Sequence, residues 1–116
     1  MYQLQSTASG SGEWTYTLLK NFGPAAYVSV PRVIQNGNLY GGFYTPGNGT
    51  VLYGVIFEMQ PPSTPGGSWT TTYLHRWTDG QIPYNLAVDS DGTIFGTTVD
   101  CVSGSCSGTI FRITTR

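Results

Sequence analysis

Short segments of the chain alternate between apolar and polar residues, as β-strands with one buried face do. Residues 14–22 read WTYTLLKNF and residues 69–77 read WTTTYLHRW. Because successive side chains of a strand point to opposite faces, this period of two predicts two long strands. One face of the second strand is predicted to carry alternate residues, namely Trp69, Thr71, Tyr73, His75 and Trp77. Further short strands are predicted at 30–34, 39–44, 54–60, 85–89, 93–99 and 108–115.

Two dipeptides with a strong turn preference separate pairs of these predicted strands. They are Asn36-Gly37 and Asp91-Gly92. A two-residue type I′ turn needs positive φ at both central residues, which Asn, Asp and Gly tolerate best. The connections between the strands are also too short for the crossovers that parallel strands require. The pattern therefore predicts type I′ hairpins in an antiparallel, all-β fold.

The predicted strands recur along the chain with a constant spacing. Residues 2–60 and 57–115 align at an offset of 55, which places Trp14 on Trp69. An internal repeat of this size indicates a stack or ring of similar supersecondary units. Four short antiparallel strands in ~55 residues are typical of a β-propeller blade. We therefore predict one domain, residues 1–116, with two four-stranded blades at approximately 2–60 and 57–115 and one extra strand.

The strand that ends each predicted blade occurs three times, whereas every other strand occurs twice. Residues 2–5, 54–60 and 108–115 share one pattern of aromatic and aliphatic positions. In a ring of identical chains, the first and third copies would compete for one place. Either the chain is a segment of a longer propeller, or strands are exchanged between chains. Since open strand edges accept further strands, we predict a homo-oligomer, a ring or a filament, joined through the terminal strands.

Few residues carry a charge, and this limits the kinds of partner. Charged residues make up 9% of the chain and the formal net charge is -1. Nucleic-acid binding needs a basic stripe, so no nucleic-acid partner is predicted. No apolar run approaches the ~18 residues of a transmembrane helix, so no transmembrane segment is predicted. The polar but uncharged composition and the 14% aromatic content favour an extracellular or cell-surface β-protein.

Catalytic residues are not recognisable in the sequence, and we predict no enzyme activity and no cofactor. His75 is the single histidine, and Lys20 takes its place in the first repeat. Glu58 aligns with Gln3 and Arg112, so no pair of carboxyl groups recurs as glycosidases require.

One segment has oxygen ligands at the spacing of a calcium-binding loop. Residues 89–93 read DSDGT, in which two aspartates precede a glycine. Further acids are missing downstream, and the matching segment 34–38, IQNGN, has no carboxylate. Because a hairpin turn explains the segment without an ion, we predict no metal site, with calcium as the alternative.

The two cysteines, Cys101 and Cys106, lie in a predicted loop at 100–107. Neighbouring loop cysteines pair readily in an oxidising compartment, where the bond would stabilise the fold by roughly 2 kcal/mol. We predict a disulfide here, and two reduced thiols are the alternative. Two cysteines and one histidine are too few for a zinc site.

The aromatic residues exceed what one small core can hold, and they are the candidates for binding. The candidate residues are Tyr27, Tyr44, Tyr53, Trp77 and Tyr84. The four tyrosines do not recur between the repeats and are predicted on loops. Exposed aromatic rings beside Asn, Gln and Asp can stack on sugar rings, and they equally form protein–protein contacts. Glycan binding, self-association and plain packing all stay open from this pattern.

Three motifs that are present in both repeats resemble those of the GloVer repeats. They are W-T…L…F/W in 14–22 and 69–77, N/T-L/I-Y/F-G in 38–41 and 93–96, and G-x-I-F in 54–57 and 108–111. The resemblance covers nearly the whole chain and implies a secreted or surface-anchored bacterial protein with a propeller-like fold. It implies no activity, and members of this family usually carry many more repeats in one chain.

The sequence as a whole predicts a non-enzymatic extracellular or cell-surface repeat module that self-assembles and presents loops for binding. The alternative is a lectin-like, glycan-binding propeller. A lectin would carry equivalent loop aromatics on each blade, and the two repeats share few of these.

Overall fold

The chain folds into β-strands alone in the part that the structure, a computed structural model, describes. The described residues are 2–6, 14–23, 26–28, 33–46, 52–102 and 105–114. Within them there are ten strands and no helix, and so no helix that could cross a membrane. The strands are β1 (Tyr2–Ser6), β2 (Trp14–Leu18), β3 (Tyr27–Val28), β4 (Val33–Gln35), β5 (Asn38–Pro46), β6 (Leu52–Gln60), β7 (Thr70–Arg76), β8 (Ile82–Val88), β9 (Ile94–Val102) and β10 (Ser105–Ile113). The prediction of an all-β fold is confirmed.

The strands form three antiparallel sheets. β1 and β2 pair with each other in a two-stranded sheet, the β1–β2 pair. In the larger sheet, β3 and β4 share one edge of β5, and β6 and β7 follow on the other side of β5. In the smaller sheet, β9 lies between β8 and β10. The antiparallel pairing agrees with the short connections, which leave no room for crossovers.

The sheets do not coincide with the sequence repeats. β7 opens the second repeat, but it pairs with β6, the last strand of the first repeat. The β1–β2 pair repeats this arrangement, because Tyr2 lies opposite Leu18 as Phe57 lies opposite Tyr73, 55 residues later. A strand of the second repeat therefore completes the larger sheet. The smaller sheet has no such completing strand among the described residues.

A β-bulge interrupts the alternation that the sequence predicts for β7. Tyr73 lies opposite Phe57 and His75 lies opposite Ile56, so Leu74 is the extra residue between them. Because neighbouring residues of β6 face opposite sides, the prediction that Tyr73 and His75 share one face is wrong. The bulge allows Leu74 to join the apolar cluster around Ile56.

Two apolar clusters form on opposite faces of the larger sheet. The outer cluster consists of Leu39, Phe43, Val55, Phe57 and Met59, against which Leu19, Phe22, Ala26 and Trp69 pack. The inter-sheet cluster joins Tyr40 and Ile56 of the larger sheet to Ile94 of the smaller sheet. Its surrounding residues are Leu74, Trp77, Leu86, Val88, Phe111 and Ile113. β6 is buried on both faces, which explains why residues 54–57 form a continuous apolar run rather than an alternating one.

Gly54 lets the two sheets approach each other closely. A Cβ atom at this position would lie 2.5 Å from the carbonyl oxygen of Gln81 and 2.7 Å from Cδ of Pro83. The backbone N–H of Trp77 also donates a hydrogen bond of 2.8 Å to the carbonyl of Gly54. Any larger residue would push β8 away from β6, so packing against a neighbouring backbone requires this glycine.

The two predicted hairpin turns differ in structure. Asn36 and Gly37 have φ values of 53° and 81°, which confirms a type I′ turn. In the second turn only Gly92 has positive φ, and its N–H donates to the carbonyl of Asp89 over 3.1 Å. The type I′ prediction is wrong here, because this is a type I turn followed by a glycine bulge. The carboxylate of Asp89 stabilises the longer turn by accepting the N–H of Asp91 over 3.1 Å.

Several strand ends differ from the predicted ones. β9 and β10 extend into most of the predicted loop 100–107, since residue 100 pairs with residue 107 in their ladder. β2 ends at Leu18 rather than at residue 22, since its ladder with β1 ends at the pair of Tyr2 with Leu18. Residues 30–32 and 115 of the predicted strands lie outside the described residues.

Replacement of Ile56 should destabilise the fold far more than replacement of Ile110, which takes the same place in the second repeat. Ile56 is fully buried in the inter-sheet cluster, whereas Ile110 is 87% exposed. We expect Ile56→Ala to lower the free energy of unfolding by about 2–5 kcal/mol and Ile110→Ala by less than about 0.5 kcal/mol. Urea unfolding at low protein concentration measures both values. Equal losses would contradict the arrangement of the two sheets.

Candidate functional site

The smaller sheet exposes the surface that the larger sheet buries. Tyr40 and Ile56 are 1% and 0% exposed, but their equivalents in the second repeat, Phe95 and Ile110, are 43% and 87% exposed. The register of β9 with β10 puts Phe95 and Ile110 on the same face of the sheet. This face, called the open face below, consists of Phe95, Thr97, Ile110 and Arg112. An exposed apolar pair on a sheet face is a candidate contact surface for another molecule.

The outer backbone edge of β10 adjoins the open face. β10 is the outermost strand of the smaller sheet, and within the described ranges only β9 pairs with it. Its equivalent in the first repeat, β6, pairs with β5 on one side and with β7 on the other. The edge of β10 is nine residues long, and it presents backbone groups to which another strand can add. The open face and this edge together form the candidate site.

Sequence reasoning did not identify this site. Phe95 recurs between the repeats, and recurrence predicts packing between blades rather than exposure. The signal that could have pointed to the site is the repeat alignment, which gives Phe95 and Ile110 the same apolar character as Tyr40 and Ile56.

Two of the predicted binding residues, Tyr27 and Tyr44, lie together on the larger sheet. They face each other across the β3–β5 ladder, and their rings stack at 5.3 Å between centroids with an angle of 21°. Tyr27 is exposed, and Tyr44 is half-buried beneath it. The stacked pair therefore offers one aromatic surface to solvent.

The other three predicted binding residues are separate from this pair. Tyr53 lies on the opposite face of the larger sheet from Tyr44, with the guanidinium of Arg76 at 4.7 Å from its ring centroid. Trp77 packs in the inter-sheet cluster. Tyr84 is exposed on β8. All four tyrosines lie in strands, so the loop prediction is wrong for Tyr27, Tyr53 and Tyr84, while Tyr44 lies in the strand predicted at 39–44.

The single histidine packs against an aromatic ring. His75 meets Trp77 edge to face at 4.6 Å between ring centroids. In the first repeat, the Nζ atom of Lys20 lies 5.9 Å from the ring centroid of Phe22, which repeats the same pairing. The recurrence of a basic residue beside an aromatic ring indicates a structural contact of the repeat.

The buried hydroxyl groups of the smaller sheet bond to side chains of the same sheet region. The hydroxyl of Thr98 donates to the side-chain carbonyl of Gln81, and it lies 2.6 Å from the hydroxyl oxygen of Thr109. In the first repeat, Phe43 and Val55 occupy the places of the two threonines and belong to the outer cluster. A polar contact thus replaces an apolar one, and its groups satisfy each other.

The acidic turn of the second repeat is held by its own hydrogen bonds. Oδ1 of Asp89 accepts the backbone N–H of Thr93 at 3.0 Å, and Oδ1 of Asp91 accepts the same N–H at 2.9 Å. The hydrogen bond with the Asp89 carboxyl, followed by bonds from Thr93, lowers the pKa of Asp91 to about 2. Within the described ranges, no three His, Cys, Asp or Glu side chains come together as metal ligands do.

The cysteines lie near one end of the β9–β10 ladder. The register places Cys101 opposite Cys106, and Cys106 is disulfide-bonded. The disulfide therefore anchors β10 near the start of its open edge.

Comparison of the chain with protein families, curated proteins and solved structures finds no significant match. The resemblance to the GloVer repeats therefore stays a prediction from the sequence motifs.

Acid should weaken the second hairpin turn as the pH falls from about 4 to about 2. The pKa of Asp91 is lower in the folded chain than its ordinary value of 3.8, so its ionised form favours the folded state. This stabilisation is complete above the ordinary pKa and is lost as the pH falls through the folded-state value. We expect Asp91→Asn to show a weaker dependence of stability on pH in this range. Urea midpoints measured from pH 5 to pH 2 compare the variant with the wild type, and identical pH profiles would contradict this role.

Proposed function

We propose that this protein is a non-enzymatic repeat module that assembles with copies of itself through propeller-type contacts between sheets. The observation that carries the proposal is the pair of equivalent surfaces. Tyr40 and Ile56 are buried against the next sheet of the same chain, whereas Phe95 and Ile110 are exposed. A second copy of the chain carries the kind of surface that covers this position within one chain. In this proposal the larger and smaller sheets correspond to two blades, and within the described residues the second has no strand equivalent to β7.

Energetic considerations support an interface that includes both parts of the candidate site. Burial of Phe95 and Ile110 would contribute about 1.5–3 kcal/mol each. Association costs about 4–15 kcal/mol in lost translational and rotational freedom. The open face alone would therefore hold two chains only weakly. An interface of ~1,000 Å² or more would have to include the edge of β10 and its backbone hydrogen bonds.

The proposed contact joins two different surfaces of the chain. The smaller sheet of one copy would meet the larger sheet of the next, just as the two sheets meet within one chain. Such a head-to-tail contact closes into a ring if the rotation per copy allows, and otherwise continues as a filament. Loops at the ends of the strands would then be repeated around the assembly and be available for binding.

The proposed location is outside the cell or on its surface. The 9% charged content and the disulfide at Cys106 support it, because disulfides persist in oxidising compartments. The resemblance to secreted bacterial repeats points the same way.

Glycan binding is a second candidate function, favoured by the stacked rings of Tyr27 and Tyr44. An exposed ring supported from below by another is rigid and can stack on a sugar ring. The five predicted residues do not gather in one place, however, and Trp77 belongs to the inter-sheet cluster. A glycan site would therefore be limited to the tyrosine pair, and Tyr27→Ala would test it by glycan-array binding.

The mass of the protein in solution tests the proposed self-assembly. We expect particles that are multiples of 12.5 kDa, or a filament, in light scattering on a size-exclusion column. Ile110→Asp should weaken association by about tenfold or more, because a charge on the open face cannot be buried without a partner. Tyr27→Asp is the control, since Tyr27 is exposed outside the candidate site and lies opposite Tyr44, on the face of the larger sheet away from the outer cluster.

A 12.5 kDa monomer at every protein concentration would contradict the proposed function. Equal effects of the two aspartate variants would instead contradict the open face as the contact surface. Circular dichroism confirms that both variants fold, as their exposure in the single chain leads us to expect.

A further inference from the structure

We infer that the open edge of β10 accepts β2 from a second copy of the chain, and that β2 leaves β1 to do so. This inference rests on the proposed self-assembly and names the strand, its register and the bond that must open first.

The first step is the equivalence of the strands. β10 repeats β6, with Phe111 in the place of Phe57 at an offset of 54. β2 repeats β7, with Leu18 in the place of Tyr73 at an offset of 55. β6 and β7 pair side by side in the larger sheet. β2 is thus the strand of this chain whose sequence matches the neighbour that β10 lacks.

The second step is the position of β1. β1 repeats the same strand as β6 and β10, and it pairs with β2 in the register that β6 and β7 use. β1 therefore occupies the edge of β2 that a β10 strand would need. Two strands cannot share one edge, so β2 must exchange one partner for the other rather than add to both.

The third step is the relative strength of the two partners. Within the described residues, β1 and β2 pair with each other and with no third strand. Two-stranded sheets of this kind are marginally stable in water. Three of their apolar side chains, Leu4, Tyr16 and Leu18, are each more than half exposed. On β10, β2 would instead become the fourth strand of a sheet that already buries one face.

The same register also places the apolar residue of the open face. Ile56 lies opposite His75 in the β6–β7 ladder. Ile110 is the counterpart of Ile56 and Lys20 is the counterpart of His75, so Ile110 would lie opposite Lys20 in the exchanged pair.

Strand exchange would cover the open face in the same step. Within one chain, Leu74 and Trp77 follow the β6–β7 pairing and pack beside Ile56. Their equivalents after β2 are Leu19 and Phe22, which belong to the outer cluster of the larger sheet. Insertion of β2 would bring these two residues, with the larger sheet of the second copy, onto Ile110. Insertion of β2 would therefore pair the open edge of β10 and cover the open face at the same time.

A disulfide that locks β1 to β2 tests the exchange. Gln3 lies opposite Thr17 in the β1–β2 ladder, so Gln3→Cys with Thr17→Cys can join the two strands. We expect the oxidised double variant to associate at least about tenfold more weakly than the wild type. The expected result includes recovery of wild-type association when the lock is reduced. Wild type in the same reductant is the control, because reductant also opens the bond at Cys106.

The outcomes separate the exchange from the proposed function. If the locked variant assembles as well as the wild type, strand exchange is wrong and assembly by another contact stands. If the wild type does not assemble either, the proposed function fails and the exchange fails with it.

Cross-linking at the expected register is the second measurement. The β6–β7 register places Glu58 opposite Thr72, which corresponds to Arg112 opposite Thr17 in the exchanged pair. Oxidation of a mixture of Thr17→Cys and Arg112→Cys proteins should join the two chains through these positions. Ser107→Cys is the control on the same edge, since five residues along a strand are about 17 Å. Equal cross-linking at Ser107 and Arg112 would overturn the register.

Discussion

The contact between the larger and smaller sheets, centred on Ile56, is the interaction on which the rest of the structure depends. Ile56 and Tyr40 bury one face of β6 and β5 against Ile94, while the outer cluster buries the other face. This double burial makes β6 the most buried strand of the described chain. Gly54 permits the close approach of β8, and the bulge at Leu74 supplies an apolar side chain at the seam.

The same apolar surface occurs on both sheets, but it is buried on the larger sheet and exposed on the smaller one. The repeat makes Phe95 and Ile110 the counterparts of two fully buried residues, yet they face solvent in the single chain. Apolar burial alone would be a weak reason for association, because it is smaller than the entropic cost of joining two chains. In the proposed assembly, the edge of β10 would change this balance by adding backbone pairing to the contact. β1 would compete with β10 for β2, and such competition between two similar strands would limit assembly.

The aromatic residues have different structural roles, since some pack between the sheets and others are exposed. The ring centroids of Trp77 and Phe111 lie 5.1 Å apart in the contact between the sheets. Tyr27 and Tyr44 form a separate exposed stack, and the guanidinium of Arg76 lies over the ring of Tyr53. A high aromatic content therefore does not by itself indicate a binding site. Within the predicted set, only Tyr27 and Tyr44 combine exposure with support by a stacked second ring, and they are the part of that set that could receive a sugar.

The sequence by itself determined the all-β fold, the antiparallel pairing and the repeat, because these follow from local periodicity, short connections and turn residues such as Asn36-Gly37. It also determined which residues are equivalent, and hence that Ile110 has the chemistry of a buried position. Only the tertiary structure decided that β7 pairs with β6 across the repeat boundary, that Leu74 forms a bulge, and that Ile110 is exposed. Strand partners and burial depend on residues far apart in the chain, and a local pattern carries no information about which neighbour is present.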